Sequence, residues 1–467
     1  MKCLILRLLA NADSYFFDIF DAAIAGLLTD SGYQTTVLER TISEDMEMEA
    51  QVDGALEALT GLSPDLVFVS YSFDAAIAKK IKESSGSVVV VFGSVHALTN
   101  PSVDYVIGEP DPFVCLSLVR ELARGPMGEP GELHGVASRS KPKPVLGLHG
   151  LSVRKIFSIC RLAYENFVRI GPGKQVETRK HIVGNMGCPW RTVGKLDLPA
   201  DSPLDIWRSG CSFCTRQDYE ELDQAELLSL LGLQLDGVLE AFPNIDKLVL
   251  IDEAGLSYAG ELARLVQSRP MTGTRLLVSG RLDHFARYGR MLEEALEILS
   301  GQNTISLYQF GIENFSESVL ARYNKGISLN KSLESLKAMT GMADRNPGLE
   351  IEQSFGFILF DPWTSLAELH QNLEVLARFD MEPFRGRPEQ TRLRLYPEVP
   401  LYWKAKEEGL LLEGETADEF GYQSGVPWRF KHREVAGIFE TIQKQGRSLS
   451  TLELYKIIGP MKSKNGN

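Results

Sequence analysis

The chain has 467 residues, 44% hydrophobic and 24% charged, and its 49 basic and 62 acidic side chains leave a net charge of −13. That composition is ordinary for a soluble protein of roughly two to four domains, and the acidity argues against a broad nucleic-acid or membrane surface. Six cysteines are too few for a disulfide scaffold and point to a reducing cytoplasm, while no apolar run approaches the roughly 20 residues of a membrane span.

Residues 1–124 alternate apolar strands with helices. Cys3–Leu9 is predicted as the first strand; Met1–Ala10 is apolar but lacks the cleavage region of a signal peptide. Ser14–Asp30 has helical spacing, with Phe16, Phe20, Ala23 and Leu27 on one face. Further strands are predicted at Thr35–Leu38, Leu66–Ser70, Ser87–Phe92 and Tyr105–Ile107, and helices at Gln51–Thr60, Ala75–Glu83 and Phe113–Ala123. This α/β pattern predicts a Rossmann-like, doubly wound parallel sheet. Ligands of such sheets bind beyond the carboxyl ends of the strands, here the loops after Leu9, Ser70 and Phe92. No Gly-x-Gly-x-x-Gly follows the first strand, so a dinucleotide site is not expected. Cys3, Cys115 and Cys160 lie in apolar segments and read as buried packing.

Residues 125–180 read as a linker. Gly125–Gly150 is rich in glycine, proline and basic residues and predicts an irregular connector, followed by a helix over Leu151–Ile170. Gly171-Pro-Gly-Lys174 lacks the spacing of a phosphate loop and reads as a turn.

Residues 181–400 repeat strand and helix again. His181–Met186 is a short strand that delivers Cys188, and later strands are predicted at Lys247–Ile251, Arg275–Ser279, Thr304–Phe310, Glu350–Phe360 and Thr391–Tyr396. Six such units predict a parallel barrel, complete or partial, of the (β/α)6 TIM type, with its chemistry at the carboxyl ends of the strands. Those ends carry Asp252-Glu253, Ser279-Gly-Arg281 and Gly311-Ile-Glu313, beside a loop with Cys188, Cys211 and Cys214. There are 22 residues between Cys188 and Cys211 and two between Cys211 and Cys214. Three thiolates can hold a 4Fe–4S cluster by three irons and leave the fourth open. Cys-x-x-Cys alone also suits zinc, for which His181 would have to be the fourth ligand. Residues 401–467 form a small helical C-terminal region, with helices at Pro400–Gly409, Arg433–Lys444 and Leu449–Ile458, an acidic loop at Glu413–Gly425 and a polar end from Lys462.

Several stretches share one resemblance. Gly187-Cys-Pro and Cys211-Ser-Phe-Cys214 look like the two halves of a radical S-adenosylmethionine cysteine loop. Gly311 to Gly326 resembles the fourth-strand region of that family, Phe355 to Ser365 its fifth strand and turn, and Leu395 to Leu401 the sixth-strand region of its cobalamin-fused branch. The loop Phe92-Gly-Ser-Val-His-Ala and the later Gly108-Glu109 resemble that branch's cobalamin-binding domain, with Ser94 in place of a second glycine. The cobalt-ligating motif Asp-x-His-x-x-Gly is absent from residues 1–124. The resemblance covers about residues 1–124 and 181–412. One departure is the cysteine spacing: against the family's Cys-x3-Cys-x2-Cys, Thr192 stands where the second cysteine would be, and residues 191–210 are an insert.

The resemblance implies a 4Fe–4S cluster on Cys188, Cys211 and Cys214. It implies S-adenosylmethionine against Phe213 (adenine), Glu253 with Asp252 (amino group), Arg281 (carboxylate) and Glu313 (ribose or amino end), with Ser279 in the same set. Cobalamin would lie against Ser70, Tyr71, Gly93, Ser94, His96, Gly108 and Glu109. The implied reaction is methyl transfer to an unactivated carbon or phosphorus centre of a small-molecule, peptide or lipid substrate. An external electron donor such as flavodoxin or ferredoxin would serve it. Two alternatives stay open: a radical cyclase, oxidase or epimerase without cobalamin, and a non-catalytic scaffold with structural zinc.

Overall fold

The run Leu66-Val-Phe-Val69 and the run Val88-Val-Val-Val-Phe92 have no polar face, and such strands are stable only with both sides covered. They form the middle of a seven-stranded sheet. The computed structural model describes residues 1–10, 18–42, 59, 61–69, 75–93, 95–108, 110–124, 133–142, 152–170, 178–185, 187–192, 210–214, 221–384, 391–412, 425–447 and 449–459. The predicted helix Gln51–Thr60 lies almost wholly outside these residues. So do the start of the first helix, the turn at Gly171, the acidic loop from Glu413 and the polar end from Lys462.

In chain order the first seven strands are β1 (Lys2–Ala10), β2 (Gln34–Ile42), β3 (Leu66–Val69), β4 (Val88–Phe92), β5 (Tyr105–Ile107), β6 (Val136–Ser138) and β7 (Phe167–Ile170). They lie side by side in the order β6-β5-β4-β3-β1-β2-β7, all parallel except for β6 against β5. The pleat sends Leu4, Leu6, Val67, Val69, Val89 and Val91 to one core, and Cys3, Ile5, Phe68, Val90 and Phe92 to another. Phe68 and Phe92 stack with centroids 5.9 Å apart. Burying one such phenylalanine stabilises the fold by about 2–3 kcal/mol.

The segment expected to be a linker contributes an edge strand at each side of this sheet, β6 and β7. The helix expected over Leu151–Ile170 is confined to Val153–Ile159, capped by the Ser152 side chain, and the chain is extended again by Phe167. Short aromatic and β-branched runs at a sheet edge prefer pairing to helix.

The second sheet consists of β8 (Arg179–Val183), β9 (Lys247–Ile251), β10 (Arg275–Val278), β11 (Thr304–Leu307) and β13 (Leu349–Ile351), all parallel and adjacent in that order. A separate parallel pair joins β12 (Gly311–Glu313) to β14 (Gly356–Phe357). The predicted strand Thr304–Phe310 is therefore cut short. Gln309 has φ +52°, a left-handed conformation that interrupts a strand, and β12 resumes two residues later. Likewise Glu350–Phe360 divides into β13 and β14, and Thr391–Tyr396 is reduced to a parallel bridge between Phe360 and Arg392.

Buried charges join the two sheets. Asp18, at the start of helix Asp18–Asp30, meets Lys180 at 3.1 Å and His181 Nδ1 at 2.7 Å on β8. Their charges outweigh burial and hold the Asp18 carboxyl below its usual range. Arg7 on β1 pairs with Asp21 and, at 3.4 Å, with Glu39. Lys180 also lies 3.8 Å from the Phe242 ring centroid. His181 is thus engaged by Asp18. Among the described residues no helix is long and apolar enough to cross a membrane.

Candidate functional site

Each half of the cysteine loop begins with a glycine in the left-handed region, Gly187 at φ +90° before Cys188 and Gly210 at φ +83° before Cys211. A side chain would strain the backbone at both points. The insert's ends come together: Gly210 N donates to Thr192 O at 3.0 Å. Cys211 leads into a turn in which Cys214 N donates to Cys211 O at 3.2 Å, and the half-buried Phe213 ring packs 5.0 Å from Tyr323. Ser212 N donates to Tyr323 O, and Ser212 O accepts from Leu401 N.

The ends of β8 and β9 are fixed by Asp252. Its Oδ2 accepts from Asn185 N (2.7 Å), Asn185 Nδ2 (3.2 Å) and the Tyr258 hydroxyl (2.5 Å), and its Oδ1 accepts from Ala254 N (2.7 Å). Gly184 has to be glycine, since a Cβ there would strike Asp252 and Tyr258. Burial pushes the Asp252 carboxyl up to about 6 against the pull of these donors. At 2% exposure, Asp252 is turned inward, whereas its neighbour Glu253 is only half-buried. The sequence offered both as contacts for one amino group; the structure separates them.

Arg281, 4% exposed and three residues beyond β10, is the centre of the site. Its Nη1 lies 3.8 Å from Cys211 Sγ, its Nε donates to Asp283 at 2.9 Å, and its Nη2 donates to Lys325 O at 2.7 Å. The Trp190 ring stacks on it at 4.7 Å. Ser279 is buried just before it. Glu313, at φ +64°, pairs with Lys325 at 2.7 Å, and a Cβ at Gly311 would strike both side chains. Burial raises the thiols of Cys188 and Cys211. Glu253 adds to this at Cys188, while Arg281 opposes it at both and Lys325 at Cys211. The two halves of the loop meet at the Gly210–Thr192 hydrogen bond, and a smaller upward push on Cys188 comes from Cys211.

The donor set, three cysteines flanked by two buried cations, suits an anionic iron–sulfur group. Among the described residues no three His, Cys, Asp or Glu side chains are spaced to hold a metal ion.

Of the residues expected against cobalamin, Ser70, Tyr71, Ser94 and Glu109 lie outside the described residues, as does the His96 side chain. Gly93 has φ +132° and donates to Ile107 O at 2.9 Å, with open space where a Cβ would sit; Gly108 is buried beyond β5. Val95 N donates to Glu398 at 3.3 Å. Glu398 lies three residues before Leu401, the partner of Ser212, so the loop after β4 reaches the cysteine turn through this short segment.

Sequence reasoning missed Trp190, Asn185, His284, Asn324, Lys325 and Glu398. Asn324 and Lys325 stood inside a stretch already singled out, and their partners are what give them a role. His284 Nδ1 lies 2.9 Å from Glu253 O, and burial pushes its pKa down, so the ring is neutral with its Nδ1 proton on that carbonyl.

No protein family's model matches the chain, and no curated protein matches it. Similarities to solved structures are distant. A carbohydrate transporter from Acidothermus cellulolyticus 11B in complex with myo-inositol is 8% identical over 68% of this chain and 77% of its own, with a TM-score of 0.18. The periplasmic component of an ABC-type sugar transport system from Hahella chejuensis is 13% identical over 76% and 97%, with a TM-score of 0.20. The lac repressor dimer bound to operator and the anti-inducer ONPF is 10% identical over 76% and 91%, with a TM-score of 0.19. TM-scores this low carry no argument about fold or function.

Proposed function

We propose that the chain is a radical S-adenosylmethionine enzyme, a cobalamin-dependent methyltransferase acting on an unactivated carbon of a natural-product, peptide or lipid substrate. One observation carries this reading: Cys211, Arg281, Lys325 and Glu313 form one connected site, in which Arg281 lies just beyond the carboxyl end of β10 and Glu313 closes β12. Chemistry gathers at that end of parallel α/β folds. The consecutive order of β8, β9, β10, β11 and β13 favours a partial barrel. The order β2-β1-β3-β4-β5 favours a flavodoxin-like, doubly wound first unit.

Cys188, Cys211 and Cys214 would hold a 4Fe–4S cluster, and the chemistry such a cluster supplies is one-electron cleavage of a sulfonium bond. The chain's own residues bind and orient. Arg281, shielded from water by the Trp190 ring, keeps a permanent positive charge beside Cys211, where a carboxylate could be bound. Glu253 and Glu313 offer acceptors for a ligand's ammonium or hydroxyl groups, and Phe213 offers an apolar face for a base. The Val95–Glu398 contact supports a cobalamin held by the first sheet close to this mouth.

The test is anaerobic reconstitution with iron, sulfide and cobalamin, followed by absorbance spectra. Bound cobalamin together with a cluster supports the methyltransferase. A cluster without cobalamin moves the proposal to a cyclase, oxidase or epimerase, and bound zinc in place of iron removes it.

A further inference from the structure

We propose that Asn324 is the positioning residue that keeps Cys188 and Cys211 side by side across the break in their sequence spacing. The functional meaning of this clasp rests on the reading of the cysteines as cluster ligands. In a Cys-x3-Cys loop the chain itself holds the first two sulfurs together. With 22 residues between them, the three-halves power law of loop closure lowers their effective concentration about twenty-fold. Something outside the loop has to restore the proximity.

Asn324 is placed to do this with its side-chain amide nitrogen and its backbone carbonyl, while its backbone N–H donates to Ala321 O at 3.0 Å. Its Nδ2 donates to Thr192 O at 2.8 Å and to Gly210 O at 2.6 Å, the carbonyls on the two sides of the insert. Its own carbonyl accepts from Trp190 Nε1 at 2.8 Å, on the Cys188 side. The neighbouring carbonyls continue the pattern. Tyr323 O accepts from Ser212 N, on the Cys211 side, and Lys325 O accepts from Arg281 Nη2. Gly326 lets the Trp190 ring lie against the backbone, since a Cβ there would run into the indole.

The residue type follows from these demands. Asn324 has φ +50°, a conformation favourable mainly to glycine, asparagine and aspartate. Glycine offers no side-chain donor and a carboxylate offers none, while an amide offers two. Only asparagine of the three satisfies both carbonyls.

The experiment uses N324G, which accepts the same φ, keeps the carbonyl for Trp190 and loses only the two donors. The background is the full-length apoprotein carrying C214S, so that Cys188 and Cys211 are the reactive pair. The probe is phenylarsine oxide, which bridges adjacent thiols, with the bridge located by mass spectrometry. We expect the parent to bridge Cys188 to Cys211, and N324G to bridge them at least ten times more slowly. The same comparison is then made after excision of residues 192–210, which restores Cys-x3-Cys spacing and removes both carbonyls; there N324G should have no effect.

A parent that fails to bridge these cysteines, or an N324G chain that bridges as fast as its parent, overturns the proposal. So does equal slowing in the intact and excised chains, which would mean that Asn324 only supports its own turn. Circular dichroism of N324G guards against a general loss of fold, and N324D, which keeps size and φ tolerance but donates nothing, should repeat the slowing. The readout needs no iron: bridging as expected in a chain that never binds a cluster would sink the proposed function and leave the clasp standing.

Discussion

Replacing Asp252 with alanine would orphan four donors at once: Asn185 N, Asn185 Nδ2, Ala254 N and the Tyr258 hydroxyl. All three donor residues are buried. An unpaired buried donor costs about 1–3 kcal/mol, and water entering the space can satisfy some of them, so the expected loss for D252A is about 3–5 kcal/mol. That is a large part of a domain's total stability. D252N keeps the volume but turns an amide toward some of the donors, and about 1–3 kcal/mol is expected. The pH dependence separates the charge from the bonds. The folded carboxyl titrates near 6, above its ordinary value of 3.8, chiefly because of burial. Its contribution to stability is therefore complete below about 3.8 and lost as pH rises through about 6, amounting to about 3 kcal/mol. D252N lacks this slope, so its deficit against the parent should shrink between pH 4 and 7. Urea unfolding of the reduced apoprotein measures this through tryptophan fluorescence, because all five tryptophans lie between Trp190 and Trp428. A D252A chain within 0.5 kcal/mol of the parent, roughly the scatter of surface substitutions, would refute the role as a hub. A D252N deficit that does not change with pH would refute the charge argument.

Three further outcomes follow from named contacts. K325M leaves Glu313 buried without its cation and should destabilise by about 3–5 kcal/mol, with partial recovery in K325M/E313Q; a K325M chain as stable as the parent in the same urea assay would contradict this. E398A removes the acceptor of Val95 N and should weaken cobalamin retention about three- to ten-fold while leaving iron content unchanged; loss of both together would mean that Glu398 merely stabilises the fold. His284 should be neutral at pH 7 with its proton on Nδ1, which imidazole nitrogen NMR reads directly; an Nε2 proton or a charged ring would overturn that assignment.

The residues that shape the sheets were the most legible. The all-apolar runs of β3 and β4 and the five-residue strand Lys247–Ile251 announce themselves through composition and flanking turns. The edge strands β6 and β7 did not, because runs of three and four residues among glycines and prolines are too short for a period to show. Strand breaks were hidden as well: Gln309 and Glu313 adopt positive φ for reasons of tertiary placement, which residue type does not reveal. Within the site, the cysteines were named from their spacing, and Arg281 and Glu313 from their positions at the ends of predicted strands. The sequence put Glu253 first and Asp252 beside it, but it could not show that Asp252 is taken up by four buried donors. Asn324 was out of reach for a different reason. Its partners Thr192 and Gly210 lie 132 and 114 positions away, and nothing in the local pattern ties either of them to Asn324.

The central claim is that Cys188, Cys211 and Cys214 hold an iron–sulfur cluster that binds S-adenosylmethionine. The most direct measurement is the EPR spectrum of the anaerobically reconstituted, reduced protein with and without S-adenosylmethionine, in the parent and in each cysteine-to-serine variant. The account predicts a reduced-cluster signal that S-adenosylmethionine shifts, lost in C188S, C211S and C214S and retained in C3S, C115S and C160S. A signal indifferent to S-adenosylmethionine, or a colourless protein that takes up zinc instead of iron, would contradict it.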